Sequence, residues 1–397
     1  MKKKRIMILG GNSVQAEATK TANRLGYYTI STDLHPDNPG HVIADEYCSV
    51  DIIDKAAVLR EAQRLRIDGI IPYTSDVLAP VAAYVTEAMS LPGSPYHTVE
   101  IMTHKNLFRQ FLLDHGFPTP KGKGFSDMNE AIAFFHTLDG TAMMKPVDSA
   151  GSKGAFKVTE DDDIRLHWQE SMDYSAEGTV IIEQFIERKE LQQDGDIFVV
   201  DGRVAFWGVG DQHKDPIAPY VPAVLTFPSM LRKEYVEKAQ RLVQEIITAL
   251  GYRQGPCNVE YMVGTDGEVY IMEIGPRNGG NLIGFALQEV TGVDLTALTV
   301  QAALGEPVTV PAWNYTGYAA AVVLHAQHDG TLKGVNVPEK YKENLCHTFM
   351  FRNIGDRVQR FHNGGDTIGS MTFRFDTYDE MDYFVNNVAQ KMVVVNS

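Results

Sequence analysis

Short apolar runs alternate with longer segments of helical periodicity over the first 95 residues. The pattern predicts a strand at 5–9, a helix at 16–25, a strand at 27–32, a helix at 54–66 and a strand at 69–72. The first strand runs into Gly10-Gly11, and Gly26 follows the first helix, where glycine commonly ends a helix. Regular strand–helix alternation predicts a doubly wound α/β domain with a parallel sheet over residues 1–95.

The alternation stops at Leu91-Pro92-Gly93-Ser94-Pro95. Four further units are predicted: a linker helix at 96–120, a small α+β lid at 121–187, a core at 188–310 and a strand-rich C-terminal segment at 311–397. Within them, strands are predicted at 141–145, 155–158, 179–183, 196–200, 203–209, 256–263 and 268–274, and helices near 104–115, 231–250, 285–304 and 378–391. The predicted fold class is therefore a multidomain combination of α/β and α+β units.

Two apolar runs flank Asp266-Gly267, which is a strong signal for a two-residue hairpin turn. With these residues in the turn, Glu260 faces Glu273 and Met262 faces Ile271. Facing residues have Cβ atoms ~5 Å apart, and like charges so placed are destabilising. A hard divalent cation would neutralise the pair, and Mg²⁺ suits two carboxylates completed by water and phosphate oxygens. The alternatives are a register shifted by one residue, or a separate lysine or water for each carboxylate.

Charge and composition narrow the class of partner. The formal net charge of −15 disfavours nucleic acid and membrane surfaces as partners, although it allows a small anionic ligand. Three widely spaced cysteines offer neither a disulfide framework nor a CxxC metal pair. The apolar run after the lysine-rich start is too short for a signal peptide, and no stretch approaches the ~20 apolar residues of a membrane span. We therefore expect a cytoplasmic protein.

Several motifs follow one another in order along residues 1–310. They are His104-Lys105, Lys145-Pro146, Ser149-Ala150-Gly151-Ser152-Lys153-Gly154, Ile181-Ile182-Glu183-Gln184-Phe185-Ile186, Glu260 and Glu273-Ile274-Gly275-Pro276-Arg277. In this order and spacing the chain resembles the ATP-grasp superfamily of carboxylate–amine and carboxylate–thiol ligases, which implies an ATP-grasp fold. Its layout is similar to that of glycinamide-ribonucleotide ligases, biotin carboxylase and the large subunit of carbamoyl-phosphate synthetase. No GxxxxGK[ST] motif is present, which excludes a P-loop NTPase.

The resemblance implies a triphosphate site. Lys105 and Lys145 match the two ATP lysines of the family, and point-charge donors from two directions suit a triphosphate. The loop at 149–154 matches the flexible flap over the phosphates, with Ser149, Ser152 and Gly154 as contacts, because glycine lets backbone N–H groups approach the oxygens. Solvated surface lysines and an ordinary glycine-rich hairpin are the alternatives.

The segment that begins at Glu183 matches the adenine-binding hinge of the family. There, backbone groups at Gln184 and Ile186 would pair with the adenine edge, and the Glu183 carboxylate would accept from the adenine amine. Glu190 matches the acid that holds the ribose, unless residues 188–190 form only a charged turn.

Arg277 and Lys153 are the catalytic residues that the resemblance implies. The planar fork of Arg277 suits a carboxylate and a transferred phosphoryl group, so it would brace the acyl-phosphate. The alternative for Arg277 is a structural ion pair with a neighbouring glutamate.

The metal motif departs from the family at one position. The usual Glu-x-Asn-Pro-Arg supplies a third metal ligand from its Asn, but this chain has Gly275 there. Glu260 and Glu273 remain as ligands, and Asn258, which faces Gly275 in the predicted register, or Asn278 would replace the missing amide. The number of bound metal ions stays open.

The N-terminal glycines invite a dinucleotide-binding interpretation, but the third glycine of GxGxxG is absent. The resemblance implies instead that this domain helps to form the acceptor side of the cleft. Open α/β sheets bind ligands at the carboxyl ends of their strands, which is where the candidate contacts lie. The predicted substrate contacts are Asn12, Ser75, Asp76, His213, Arg277 and Asn281. Asn12, Ser75 and Asp76 could alternatively serve only to form turns, without any role in binding. For His213, a loop position without a role in binding is an equally good interpretation.

The resemblance implies an ADP-forming ligase with ATP and Mg²⁺ as cofactors, Mn²⁺ being an alternative metal. A small-molecule carboxylate would attack the γ-phosphate, and an amine or other nucleophile would displace phosphate from the acyl-phosphate. The alternatives are a bicarbonate-activating carboxylase or carbamoyl-phosphate-type enzyme, and a non-catalytic ATP-binding module that is degenerate at Gly275. A homodimer is left open.

Overall fold

The N-terminal region forms a parallel sheet. The computed structural model describes residues 3–396, so the outermost positions of the predicted terminal domains, 1, 2 and 397, lie outside the described residues. The first elements are β1 (Arg5–Leu9), α1 (Ser13–Arg24), β2 (Tyr28–Thr32), α2 (Pro39–Ile43), β3 (Glu46–Cys48), α3 (Lys55–Leu65), β4 (Gly69–Ile71) and α4 (Ala79–Met89). The strands pair in parallel in the order β3-β2-β1-β4, which confirms the predicted α/β class of this region.

Two helices, and not the single predicted one, lead into the lid. They are α5 (Tyr96–Thr103) and α6 (Lys105–Asp114), separated by His104 in an extended conformation. The lid consists of β5 (Gly122–Phe125), α7 (Met128–Phe135), β6 (Ala142–Pro146), β7 (Phe156–Val158), α8 (Asp161–Asp173) and β8 (Val180–Gln184). Its strands form an antiparallel sheet in the order β5-β8-β6-β7, and the two helices share an apolar core with that sheet.

The rest of the chain builds a large antiparallel sheet. The core elements are β9 (Gln192–Val200), β10 (Arg203–Asp215), β11 (Ala218–Phe227), α9 (Lys233–Leu250), β12 (Gly255–Val263), β13 (Val269–Gly275), α10 (Ile283–Thr291) and α11 (Leu295–Ala303). The C-terminal elements are β14 (Tyr318–Leu324), β15 (Gly330–Val335), β16 (Leu345–Met350), β17 (Arg357–Val358), β18 (Gly369–Phe375), α12 (Tyr378–Asn387) and β19 (Val393–Asn396). The eight-stranded order is β13-β12-β9-β10-β11-β14-β18-β16, and β17-β15-β19 form a separate sheet.

Three details differ from the predicted elements. The sequence pattern did not indicate β11, and the predicted helix at 285–304 is two helices because Gly292 ends α10 in the left-handed conformation at φ +74. The strands β14, β18 and β16 extend the core sheet, so the predicted boundary near 310 does not separate two sheets.

Helix α9 fixes which face of the hairpin β12–β13 is available to a ligand. Its apolar stripe, which includes Ala239, Val243 and Ile247, packs in the same buried core as Val259 and Ile274 of the hairpin. Because side chains alternate along a strand, the intervening residues of β12 and β13 point to the opposite face. In residues 3–396, no helix has the length and apolar character needed to cross a bilayer.

Candidate active site

A cleft with a volume of about 630 Å³ lies between the lid sheet, the core sheet and the turn after β4. Most of the predicted site residues line it, although they come from every part of the chain. They are Asp76, Lys105, Lys145, Ser149, Ser152, Lys153, Glu183, Gln184, Ile186, Asn258, Glu260, Glu273, Arg277 and Asn281.

Glu183 lies at the lid end of the cleft between two cations. Its carboxylate accepts from Lys145 Nζ at 2.5 Å and from Arg109 Nε at 2.8 Å, and the Glu183 and Arg109 side chains are 1% and 2% exposed. Burial alone would raise the pKa of Glu183, but the two cations outweigh that effect and lower the pKa to about 2. Arg109 Nη1 is buried without a hydrogen-bond partner in residues 3–396, so a donor remains at the cleft wall.

The glycine-rich loop after β6 folds over the cleft. Gly151 and Ser152 both have left-handed backbone conformations, at φ +71 and +59. The Gly151 carbonyl accepts from Gly364 N at 2.9 Å, and the Ser152 hydroxyl donates to the Tyr220 carbonyl at 3.1 Å. Lys105 Nζ donates to the Ser149 carbonyl at 2.5 Å. The loop is therefore tied both to the start of β11 and to the C-terminal turn at 364–366.

The hairpin places Glu260 opposite Glu273, although by a different route from the predicted one. The turn has three residues, 265–267, closed between Gly264 and Glu268, with Gly267 at φ +81. This loop shifts the register by one, so Met262 faces Tyr270 and the predicted pairing with Ile271 is wrong. An extra residue at position 272 forms a bulge that restores the predicted register at the carboxylate pair.

A third carboxylate extends this pair into a row across three strands. Asp194 on β9 lies opposite Glu260, which lies opposite Glu273. Burial raises the pKa of Glu260 to about 7, and the negative charge of Asp194 adds to the effect. Amide groups partly compensate: Gln192 Nε2 donates to Glu260 at 2.7 Å, and Asn258 Nδ2 donates to Asp194 at 3.0 Å. The row is thus a concentration of negative charge in need of a cation.

Arg277 forms a bidentate ion pair with Asp76. Arg277 Nε and Nη2 donate to the two oxygens of Asp76 at 2.8 and 2.5 Å. Burial alone would lower the pKa of Arg277, but Asp76 raises it above its ordinary value. Arg277 therefore does form an ion pair, as the alternative interpretation proposed, but its partner is an aspartate of the N-terminal region and not a neighbouring glutamate. The Asp76 carboxylate, predicted as a substrate contact, is occupied by this pair.

The sequence of residues 110–281 matches the family model described as the ATP-grasp domain. The chain therefore carries an ATP-grasp domain over these residues. It is 27% identical over 338 residues to the formate-dependent phosphoribosylglycinamide formyltransferase of Corynebacterium efficiens, which covers 82% of this chain and 81% of that protein.

Two solved structures show how far the ATP-grasp architecture extends along the chain. The L-amino acid ligase of Bacillus licheniformis superposes with a TM-score of 0.84 at 22% identity and covers all of both chains. The biotin carboxylase domain of Hydrogenobacter thermophilus 2-oxoglutarate carboxylase, solved with MgADP and bicarbonate, has a TM-score of 0.77 at 17% identity. That likeness covers 98% of this chain and 91% of that domain. Together these likenesses confirm the predicted fold.

The ATP-grasp domain and the relatives confirm the predicted enzyme class, an ADP-forming ligase that uses ATP and Mg²⁺. The residues that line the cleft suit both ATP and Mg²⁺. The unpartnered donor of Arg109 and the lysines at the lid face a space suited to a nucleotide, and the facing pair Glu260 and Glu273 suits a hard cation. Within 3–396, no group of three or more His, Cys, Asp or Glu side chains is arranged to hold a metal. Mg²⁺ bound by the pair would take its other ligands from water and phosphate oxygens.

Other predicted residues of this ATP-grasp site lie elsewhere. His213 points to the opposite face of β10, where its Nε2 contacts the Thr226 hydroxyl at 3.0 Å, and it lines a separate hollow together with Glu190. The structure therefore does not place His213 or Glu190 in the cleft where the predicted substrate and ribose contacts were expected. Successive side chains of a strand point to opposite faces, and in β10 it is the next residue, Lys214, that faces the cleft. The prediction at His213 was therefore one position away from the residue that lines the cleft.

Four more predicted residues do not line the cleft, and two of them have structural hydrogen-bond partners instead. Asn12 caps α1 by accepting from Val14 N at 2.9 Å, and Asn278 Oδ1 accepts from the buried Thr299 hydroxyl at 3.1 Å behind the Arg277 segment. Gly154 is buried at the base of the flap, and Ser75 lies beside Asp76 without lining the cleft. Asn278 is thus not positioned as the missing metal ligand, and Asn258 is the amide that reaches the carboxylate row.

Sequence reasoning also missed three cleft residues, Arg109, Asp194 and Lys214. Asp194 belongs to the polar run 192–196 inside an otherwise apolar strand, and polar residues in a buried strand are a usable signal for a site. Burial lowers the pKa of Lys214 to about 8 even though Glu260 and Asp194 favour its charged form. The sequence offers no comparable signal for Arg109, which reads as an ordinary helix residue.

Proposed function

We propose that the enzyme activates a small carboxylic acid as an acyl-phosphate and joins it to the amine of an acceptor of amino-acid type. The observation that carries this proposal is the polarity of the cleft. Lysines and the carboxylate row line part of it, while another part of its wall is apolar. A charged nucleotide and an acceptor with an apolar body would fit these two kinds of lining.

Lys105 donates to the flap and Lys145 pairs with Glu183, and both lysines line the cleft, which supports a role in holding the triphosphate. When bound by Glu260 and Glu273, Mg²⁺ would offset charge on the phosphate oxygens. Arg277 lies next to this pair, and its guanidinium is suited to hold the donor carboxylate near the γ-phosphate. The flap contacts with Gly364 and Tyr220 favour exclusion of water from a hydrolysable intermediate.

The apolar part of the wall supports an acceptor with an apolar body. Val221, Val323 and Phe361 share one buried apolar cluster and line the cleft together, with Pro222 and Ile283 beside them. An apolar surface recognises a hydrocarbon side chain through burial at about 25 cal/mol per Å², but it offers no donor to a phosphate. A phosphoribosyl group would depend instead on the lysines beside this wall, because its phosphate needs cationic donors.

A second candidate is formate-dependent formyl transfer to phosphoribosylglycinamide, the reaction named for the C. efficiens relative. The observation that favours it is sequence similarity over most of both chains. Lys153 and Lys214 line the same cleft and are the cations that would meet an acceptor phosphate.

Phosphate release measured over a matrix of acids and amines tests both candidates. The acids are formate, acetate and amino acids, and the amines are apolar and acidic amino acids and glycinamide ribonucleotide. We expect ADP and phosphate only when ATP, Mg²⁺, an acid and an amine are all present, with apolar amino acids preferred as acceptors. Turnover with formate and glycinamide ribonucleotide alone would replace the first candidate by the second.

A matched pair of variants ties this turnover to the site. Glu273→Gln is expected to abolish it, while Glu268→Gln on the same hairpin is expected to retain it, because Glu268 is exposed and pairs with Lys238. Equal activities of the two variants would remove the carboxylate row from the reaction.

A further inference from the structure

The Asp76–Arg277 ion pair joins two distant parts of the chain beside the reacting centre. Asp76 lies in the turn after β4, and Arg277 follows β13, 201 positions later in sequence. Their side chains are 13% and 11% exposed, so the pair is largely shielded from solvent. Both residues line the cleft.

Gly275 leaves the room that this pair occupies. A Cβ atom built on Gly275 would lie 2.6 Å from Asp76 Oδ1 and 3.4 Å from Arg277 Cζ, so a side chain there would displace the carboxylate. The backbone of Gly275 is ordinary strand and is not among the residues with positive φ. Its glycine therefore serves close approach, since glycine inside a strand is otherwise unfavourable.

The turn that carries Asp76 is itself held in a rare conformation. Thr74, two residues earlier, has φ +63, which is an outlier for a β-branched residue and persists only where the surroundings impose it. Thr74 also lines the cleft. The turn is thus built to present the Asp76 carboxylate at one position.

We propose that Asp76 is a positioning residue that orients Arg277 for the acyl transfer, and that Gly275 is required for it. The inference rests on the proposed role of Arg277. Of the five N–H donors of the guanidinium, Asp76 takes two and the Asn278 carbonyl takes one, so two remain for the substrate. Asp76 fixes the direction in which those two donors point.

Four variants test the proposal: Asp76→Ala, Gly275→Ala, their combination, and Arg24→Ala as the matched control. Arg24 pairs with Asp294 at 2.6 Å and also links the N-terminal region to the core, but away from the cleft. We expect Asp76→Ala and Gly275→Ala each to lower kcat by about 10–100-fold with the KM for ATP unchanged, because a misplaced guanidinium loses alignment and not nucleotide affinity. The control should retain wild-type kcat.

The combined variant separates positioning from a general loss of stability. If both changes act on the same ion pair, the double variant is no slower than the slower single variant, whereas independent effects multiply. Multiplied losses, or an unchanged kcat in Asp76→Ala, would overturn the proposal.

Hydrogen exchange of residues 274–283 gives a readout that does not depend on the reaction. Faster exchange there in Asp76→Ala than in Arg24→Ala is expected, and equal exchange would overturn the proposal. A wild-type protein without carboxylate-dependent ADP formation would instead count against the proposed function, and the exchange measurement would still decide whether Asp76 holds the Arg277 segment.

Discussion

Replacing Glu183 with glutamine removes the negative charge that Arg109 and Lys145 share in the buried cluster at the lid. Removing one partner of a buried ion pair typically costs about 3–5 kcal/mol. The pKa leads to a similar figure, since the difference between the ordinary value of 4.5 and about 2 corresponds to about 3 kcal/mol at neutral pH. We therefore expect Glu183→Gln to lower the free energy of unfolding of the lid by about 3 kcal/mol.

Urea denaturation at pH 7 measures this loss, with unfolding monitored by the fluorescence of Trp168, which packs against the lid core. Glu177→Gln is the control, because Glu177 is exposed and its pair with His104 should contribute less than about 1 kcal/mol. Because folding lowers the pKa of Glu183, its contribution is complete above pH 4.5 and is lost as the pH falls towards 2. Two results would refute the reasoning: a decrease in the free energy of unfolding below about 1 kcal/mol in Glu183→Gln, or the same decrease in stability between pH 4.5 and 2 in the variant as in the wild type.

Two further predictions concern the lysines. Lys145→Ala should raise the Kd for MgATP by about 10–100-fold through loss of one charge-assisted hydrogen bond, while exposed Lys123→Ala leaves the Kd unchanged in the same titration calorimetry. Lys214→Met should lower kcat by about 100-fold with little change in the Kd for ATP, because the Lys214 ammonium faces the carboxylate row. The control is His213→Ala on the opposite face of the strand, which should retain the wild-type kcat.

Local patterns predicted the elements and the carboxylate pair for physical reasons that are visible in the chain. Strand–helix alternation identified the N-terminal sheet, and the Asp266-Gly267 signal identified the hairpin. The pairing of Glu260 with Glu273 held because a three-residue turn and a bulge shift the register in opposite directions. Neither irregularity is apparent from the alternation of apolar residues.

Long-range partners were beyond such patterns. Arg109 and Glu183 are 74 positions apart, and Asp76 and Arg277 are 201 positions apart, so only the folded chain shows that each pair meets. Side-chain direction was the other difficulty. The substrate contact was predicted at His213, but the adjacent Lys214 is the residue that faces the cleft. Which face of β10 lines the cleft depends on its neighbours in the sheet, and the sequence does not show those neighbours.

The transfer of oxygen-18 from a labelled donor carboxylate tests the central claim most directly. An acyl-phosphate forms only if a carboxylate oxygen attacks the γ-phosphate of ATP, and its later displacement leaves that oxygen in the released phosphate. We predict that each turnover with an accepted acid and amine delivers one labelled oxygen to inorganic phosphate. Amide formation with unlabelled phosphate would contradict the account.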